Sequence, residues 1–202
     1  MSVPAHAHPH MFFSATAQFV IDESKKLTGI RVAYLIDEYN TTLTLADLGL
    51  DEDNDGVLTD KERAKVVSQI SEGFSQYGYF AHMLEGKRKV EFAKPTSAVA
   101  RLENMQLGVV FDIPLAAAMP LKGKALNLQL YDPTFFTQIT MEMAPLIVGP
   151  SDGCAVALKS YEETDETAEL QEFLSAISRE EETGERNFGV LYADTTTLNC
   201  TE

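Results

Sequence analysis

The stretch DEDNDGVLTDKE, from Asp51 to Glu62, determines how the middle of this chain is organised. It has oxygen-bearing side chains at positions one, three, five and nine, a backbone carbonyl at seven and a glutamate at twelve. These six ligand positions are Asp51, Asp53, Asp55, Val57, Thr59 and Glu62. Gly56, at position six, permits the sharp turn that such a loop needs. Oxygen ligands at this spacing suit a hard cation, so the stretch predicts a calcium-binding EF-hand loop.

The residues on both sides of the loop predict helices. Leu43, Leu45 and Leu48 indicate a short entering helix, and apolar residues at helical spacing over 60–77 indicate an exit helix. Together these features predict an EF-hand-like insertion over residues 41–78 of a single domain that spans 1–202. The pattern occurs once, whereas EF-hands usually work in pairs. We therefore expect the calcium ion to stiffen the fold rather than to act as a switch.

Alternating apolar residues elsewhere predict β-strands. The predicted strands cover residues 13–21, 30–39, 80–84, 89–92, 97–103, 106–113, 125–131, 134–143, 154–159 and 195–200. Pro114 and Pro120 are expected to bound a loop. An acidic segment over 161–184, with apolar residues at helical spacing, predicts an amphipathic helix that Thr164 caps and Gly184 ends. Its apolar stripe consists of Leu170, Phe173, Leu174 and Ile177 and is expected to pack on the sheet, with the docking of a partner as the alternative. The predicted class is α+β, a mostly antiparallel sheet or sandwich with helices inserted in two places.

Composition narrows the range of functions. The chain has 202 residues, 45% hydrophobic content and a net charge of −15. This charge argues against binding nucleic acid or anionic lipid through a basic surface. No run of about 18 apolar residues is present, so we expect no transmembrane helix and no direct membrane insertion.

Three of the four histidines lie close together near the start of the chain: His6, His8 and His10. Pro9 favours an extended backbone there, in which alternate side chains share a face. Neutral imidazole binds zinc, nickel and copper, so these residues are candidate transition-metal ligands. The alternative is a frayed tail with solvated histidines.

Two carboxylates are candidate additional ligands of this transition-metal site, because the alternating pattern places each of them on a strand face that should be buried. Asp132 continues the Leu126-Leu128-Leu130 face, which should be buried, and a buried carboxylate needs a partner. Glu38 similarly continues the predicted buried face of the second strand. His82, alone after a helix, is expected to be a partly buried packing residue.

The two cysteines, Cys154 and Cys200, match no zinc-binding spacing. They are either buried thiols or a disulfide, and export from the cytoplasm would favour the disulfide. The opening Met1-Ser2-Val3-Pro4-Ala5-His6-Ala7 contains a small-x-small triplet typical of a signal-peptidase site. We therefore expect an exported protein from which a signal peptide has been removed.

Several short motifs together resemble a bacterial family described as the periplasmic component of an ABC-type transport system. They are His8-Pro9-His10-Met11-Phe12, the acidic loop, Tyr77-Gly78-Tyr79-Phe80, Tyr131-Asp132-Pro133-Thr134-Phe135-Phe136 and Gly153-Cys154. The resemblance covers the chain from His8 to Cys200. It implies a periplasmic protein of Gram-negative bacteria, a disulfide, and a partner among nickel/cobalt- or zinc-type membrane transporters.

Two functional hypotheses follow. The first is a periplasmic protein that captures or delivers a transition metal, zinc or nickel, for a membrane transporter, with calcium as a structural ion. The alternative is a calcium-stabilised structural or interaction protein without a transition-metal role. Copper would suit a mature chain that begins at His8, whose amine and ring could bind it together with His10. The sequence has no nucleophile elbow, phosphate loop or HExxH motif, so we do not expect an enzyme.

Overall fold

The structure is a computed structural model that describes residues 9–175 and 187–201. Within these ranges the chain forms eleven strands and three α-helices. The strands are β1 (Met11–Ile21), β2 (Lys26–Ile36), β3 (Ala81–Glu85), β4 (Arg88–Val90), β5 (Ser97–Glu103), β6 (Gln106–Pro120), β7 (Lys124–Leu130), β8 (Thr137–Met141), β9 (Leu146–Val148), β10 (Cys154–Lys159) and β11 (Thr195–Cys200). The helices are α1 (Glu38–Leu48), α2 (Asp60–Ser75) and α3 (Asp165–Ser175).

The strands form two sheets that are mostly antiparallel, as the alternating pattern predicts. One sheet has the order β5-β6-β2-β1-β8, and β9 also pairs with β1. The other has the order β10-β11-β7-β3-β4. Only the pairings of β1 with β8 and with β9 are parallel among the described strands. The fold is therefore mixed α and β, with mostly antiparallel sheets.

The buried faces of both sheets contribute to one hydrophobic core. In β1 alternate residues are buried, and in β7 the leucines Leu126, Leu128 and Leu130 are at most 1% exposed. Rings from β2, from α2 and from the turn before β3 meet at the centre, where Phe74 lies with its ring centroid 4.7 Å from that of Phe80 and 5.6 Å from that of Tyr34. This packing attaches α2 to the sheets because the helix buries its apolar stripe there.

The prediction of a loop between Pro114 and Pro120 is wrong, because β6 continues past Pro114 and ends at Pro120. Pro114 pairs with Gly29 where the register between β2 and β6 shifts. A Cβ at Gly29 would lie 2.6 Å from the Ile113 carbonyl oxygen. The missing side chain and the register irregularity therefore allow a proline inside this strand.

The second strand ends earlier than predicted, at Ile36, because Asp37 starts a helix. Its side chain accepts a hydrogen bond of 2.9 Å from the backbone N–H of Asn40 and caps α1. Glu38 is therefore the first residue of α1 and is exposed. The prediction that Glu38 continues a buried strand face is wrong for this reason.

Two other predicted strands begin later than expected. The strand predicted from Phe80 begins at Ala81, since Phe80 has a φ of 58°. The strand predicted from Thr134 begins at Thr137, since Asp132 organises a turn before it and Phe135 has a φ of 58°. Backbones with positive φ do not continue a strand.

The C-terminal helix is present as α3, and its predicted cap is confirmed. The Thr164 hydroxyl accepts a hydrogen bond of 3.2 Å from the N–H of Thr167. Leu170 packs in a small second core with Phe135 and Tyr192. Phe173 is 58% exposed, so it does not belong to a buried stripe as predicted. The rest of the prediction, including the Leu174 side chain, Ile177 and Gly184, falls outside the described residues. None of the described helices has the length and apolar character needed to cross a membrane.

Candidate metal centre

The acidic loop connects α1 and α2 and is anchored to the core at two points. Gly49 ends α1 with a left-handed backbone at φ 55°. Leu50, just before the loop, and Leu58, at its eighth position, are 4% and 2% exposed. Thr59 then caps α2, and Glu62 completes a capping box with it. Between these anchors Asp51 is buried, at 6% exposed, whereas Asp53 and Asp55 lie at the surface.

Three of the predicted calcium ligands come together in this loop. One carboxylate oxygen from each of Asp51, Asp53 and Asp55 lies within 4.8 Å of the other two. Gly56 has a φ of +75°, as its predicted turn requires, and its N–H donates to Asp51 Oδ1 at 3.1 Å. The Val57 N–H donates to Asp55 Oδ1 at 2.8 Å. The loop therefore turns back on itself and brings its carboxylates to one side.

Glu62 connects the two ends of the loop. Its Oε1 accepts the N–H of Asp51 at 2.8 Å, and its Oε2 accepts the N–H and the hydroxyl of Thr59 at 2.8 and 2.6 Å. The Thr59 side chain, then the N–H groups of Thr59 and Asp51, hold the pKa of Glu62 below its usual value. The carboxylate is thus ionised at neutral pH and is hydrogen-bonded to the backbone of Asp51, the first loop residue.

The donor set of this loop fits a hard cation. The six predicted ligand atoms are all oxygens, which calcium prefers to nitrogen or sulfur. Carboxylates this close repel one another unless a cation neutralises them. The structure brings Asp51, Asp53 and Asp55 together, whereas Glu62 is hydrogen-bonded to Thr59 and to the backbone N–H of Asp51.

Of the three clustered histidines, only His10 lies within the described residues; His6 and His8 fall outside them. The backbone N–H of His10 donates to the Phe136 carbonyl at 2.8 Å. Its ring packs on the ring of Phe136 with 4.8 Å between centroids. The start of β1 is therefore attached to the segment that leads into β8.

Asp132 is buried, as strand parity predicts, and is 3% exposed. Its Oδ1 accepts the N–H and the hydroxyl of Thr134, each at 2.8 Å, and its Oδ2 accepts the Thr137 N–H at 3.0 Å. That N–H and the carbonyl to which His10 donates belong to the same peptide unit, between Phe136 and Thr137. His10 and Asp132 are thus held on opposite sides of one peptide group.

Asp37 is a second carboxylate near His10. Its role was missed from the sequence, because an alternating pattern does not distinguish a helix cap from a strand residue. Its Oδ2 accepts hydrogen bonds from Asn40 Nδ2 at 2.7 Å and from the Phe12 N–H at 3.3 Å. Partial burial raises the pKa of Asp37, but these bonds and that from the Asn40 N–H outweigh it and lower the pKa overall. Asn40 also donates to the His10 carbonyl at 3.3 Å.

The cysteines form the disulfide that the family resemblance implies. Cys154 and Cys200 lie opposite each other on β10 and β11 with their sulfur atoms bonded. The bond connects the edge strand β10 to its only neighbour in the described sheet.

His82 packs within the protein, as predicted. Its ring stacks on Tyr131 with 3.9 Å between centroids, and its Nε2 lies 3.2 Å from the Tyr131 carbonyl oxygen. A carbonyl only accepts hydrogen bonds, so Nε2 carries the proton of the neutral ring. Burial lowers the pKa of His82 to about 4.

The buried imidazole makes the protein sensitive to acid. The unfolded chain binds the proton near pH 6.5, whereas the folded chain binds it near pH 4. The neutral His82 ring therefore makes its full contribution to the free energy of unfolding above about pH 6.5. This contribution is lost as the pH falls, by about 2 kcal/mol at pH 5. In urea unfolding at pH 8 and pH 5, we expect His82→Phe to lose about 2 kcal/mol less than the native chain. An equal loss in both proteins would contradict this assignment.

Residues 1–200 match the model of a family described as "Protein of unknown function (DUF1007)", and the chain belongs to this family. It is 23% identical over 198 residues to an uncharacterized protein of Haemophilus influenzae, covering 96% of this chain and 91% of the relative. It is also 29% identical over 104 residues to an uncharacterized 15.5 kDa protein in the trpE 3′ region of Spirochaeta aurantia, covering 51% of this chain and 74% of the relative.

Proposed function

We propose that this chain is an exported metal-binding protein that captures or delivers a transition metal, zinc or nickel, for a membrane transporter. A calcium ion bound by the loop from Asp51 to Glu62 stabilises its fold. The observation that carries the metal-binding proposal is the meeting of three aspartate oxygens within 4.8 Å. They lie in a loop whose glycine takes the left-handed backbone that the calcium-loop pattern needs.

The calcium part of the proposal is supported by how the loop is built. The part of the loop that carries the three aspartates is fixed on either side by the buried Leu50 and Leu58, so the carboxylates cannot easily separate to relieve their repulsion. Glu62 already reaches from the twelfth position back to the N–H of the first. A cation held by these groups would neutralise charge in a segment that connects two helices packed on the core.

The transition-metal part rests on the histidine segment. The His10 backbone and the Asp132 side chain are bonded to opposite sides of the peptide unit between Phe136 and Thr137. His6 and His8 precede His10 by four and two residues. Imidazole nitrogens with a carboxylate oxygen form a donor set that suits zinc. Location outside the cytoplasm is consistent with the disulfide, and the transporter partner is inferred from the family resemblance.

Zinc calorimetry at pH 7 tests the transition-metal site. We expect about one zinc ion per native chain and no binding in the His8→Ala/His10→Ala double variant, since these imidazoles supply the nitrogen ligands. His82→Gln, which removes a histidine packed on Tyr131, should bind zinc like the native chain. Unchanged affinity and stoichiometry in the double variant would refute this part of the proposal.

The second candidate is a calcium-stabilised structural or interaction protein without a transition-metal role. Two observations favour it. Both oxygens of Asp132 already accept hydrogen bonds from the Thr134–Thr137 turn, and Glu38 is exposed on α1 rather than buried beside a partner. Thermal melts with calcium and with zinc separately discriminate the two candidates. If calcium alone raises the midpoint, the second candidate is the function.

A further inference from the structure

A cleft of about 400 Å³ opens where β3 and β4 separate. The pairing of these strands begins at the turn between Glu85 and Arg88 and ends at Met83 and Val90. Beyond Val90 the chain leaves β3, and Phe92 forms a bridge with Leu115 of β6. The fork between the strands is lined mainly by rings and small apolar side chains. Its ring-bearing and small apolar lining residues are Tyr77, Ala81, His82, Val90, Phe92 and Pro133, and polar side chains, including those of Gln76 and Thr134, line the rest.

The backbone is unusual in one wall of the cleft, at Gly78, and close to the opposite wall. Gly78, Tyr79 and Phe80 are three consecutive residues with φ near +60°, and Phe135, just after the opposite wall, also has φ 58°. The other non-glycine residues with positive φ in the described chain lie in hairpin turns or the acidic loop: Lys25, Asp51, Asn54, Asn104 and Met105. Bulky aromatic residues rarely adopt this backbone, so its concentration at one cleft points to a functional role.

The surrounding structure holds this strained turn in place. The buried hydroxyl of Tyr34 donates to the Tyr79 carbonyl at 2.8 Å. The Phe80 carbonyl accepts the N–H of Tyr131 at 2.9 Å. The turn is therefore rigid, and the cleft wall that it forms is already shaped before any ligand arrives.

Gln76 and Thr134 also line the cleft, and His82 is the lining residue whose ring nitrogen can accept a hydrogen bond from a ligand. His82 lines the cleft, and its Nε2 donates to Tyr131. Its Nδ1 therefore carries a lone pair, and this atom has no hydrogen-bond partner among the described residues. At the mouth, Lys89 and Glu91 lie 3.8 Å apart and offset each other's charge, so the cleft favours no strongly charged ligand.

We propose that this cleft binds an aromatic ring carrying one hydrogen-bond donor, a phenol or an indole, which donates to Nδ1 of His82. The rings of Tyr77 and Phe92 and the side chain of Pro133 provide the apolar surface that such a ring covers. The volume is within the range of small-molecule sites. The ring can come from a free aromatic compound or from a tyrosine or tryptophan side chain of another polypeptide.

The test uses the full ¹⁵N-labelled chain, titrated with phenol and with fluorobenzene, a ring of similar size without a donor. We expect saturable shifts at the amides of Tyr77, Gly78, Ala81 and Val90, with phenol binding about three- to tenfold more tightly, as one neutral hydrogen bond provides. In His82→Phe the two affinities should become equal. In the native chain the His82 Nδ1 resonance should move with phenol and stay in place with fluorobenzene, a measurement that needs no variant.

N-acetyl-tyrosinamide then distinguishes the sources of the ring. Binding as tight as that of phenol indicates a polypeptide side chain, and weaker binding indicates a free aromatic compound. The proposal is overturned if no amide of the cleft shifts saturably, if fluorobenzene binds as tightly as phenol, or if His82→Phe keeps the preference for phenol.

Discussion

Reduction of the disulfide between Cys154 and Cys200 is expected to lower the free energy of unfolding by about 4 kcal/mol. The two residues are 46 positions apart, and a cross-link over a loop of this length removes conformational entropy of that order from the unfolded chain. The bond also fixes β10, an edge strand whose only described neighbour in the sheet is β11. The expected fall in the melting midpoint is roughly 8–16 °C.

The measurement is urea unfolding of the native chain with and without a thiol reductant. Reduction keeps both sulfur atoms, so the change isolates the cross-link from the packing of the side chains. The Cys154→Ala/Cys200→Ala double variant is the matched control, because reductant should not change its stability. A loss below about 1 kcal/mol on reduction of the native chain would show that the bond does not constrain the unfolded state as described.

Calcium is expected to raise the free energy of unfolding by about 3 kcal/mol at a free concentration of one hundred times its dissociation constant. This corresponds to a rise in the melting midpoint of roughly 5–10 °C. The physical cause is the neutralisation of the carboxylates of Asp51, Asp53 and Asp55, which lie within 4.8 Å of one another. The stabilisation by calcium should persist in moderate salt, because the ligands contact the ion directly and salt mainly screens charges that interact at a distance.

Two variants that remove the same charge test whether calcium stabilises the protein at this site or through the overall negative charge of the chain. Glu62→Gln removes the carboxylate that we propose as the bidentate ligand but keeps a side chain that can complete the capping box with Thr59. It should reduce the calcium effect to below about 1 kcal/mol. Glu52→Gln makes the same charge change at the exposed second position, which is not a ligand position, and should leave the effect intact. An equal gain from calcium in all three proteins would contradict the assignment.

The features that the sequence predicted best are those that depend on local periodicity. Alternation placed β7 and its buried leucines correctly, and it also predicted that Asp132 would be buried. Helical spacing predicted α2 to within two residues, because apolar residues at every third or fourth position share one face of a helix but not of a strand.

Features that depend on distant partners were not predictable in this way. Periodicity does not say which strands pair, so the parallel pairing of β1 with β8 and β9 was missed. The register shift at Gly29 that admits Pro114 to β6 also depends on a partner strand. The alternating pattern predicts a strand residue at Asp37, which caps α1 instead, since a helix cap and a strand end can carry the same side chain.

The same difference between local features and features that depend on distant residues applies to the candidate sites. The spacing of the acidic loop predicted that its aspartates would meet, since all of them lie within a few residues. The left-handed turn at Gly78 and the neutral ring of His82 were missed as a possible site, because their neighbours Pro133 and Phe92 are remote in sequence. The only local signal was the glycine at Gly78 itself.

Calorimetric titration of the native chain with calcium tests the central claim most directly. The account predicts a saturable isotherm with one calcium ion per chain, unchanged in Glu52→Gln and absent in Glu62→Gln. A native chain that takes up no calcium, or a Glu62→Gln chain that binds as tightly as the native one, would contradict it.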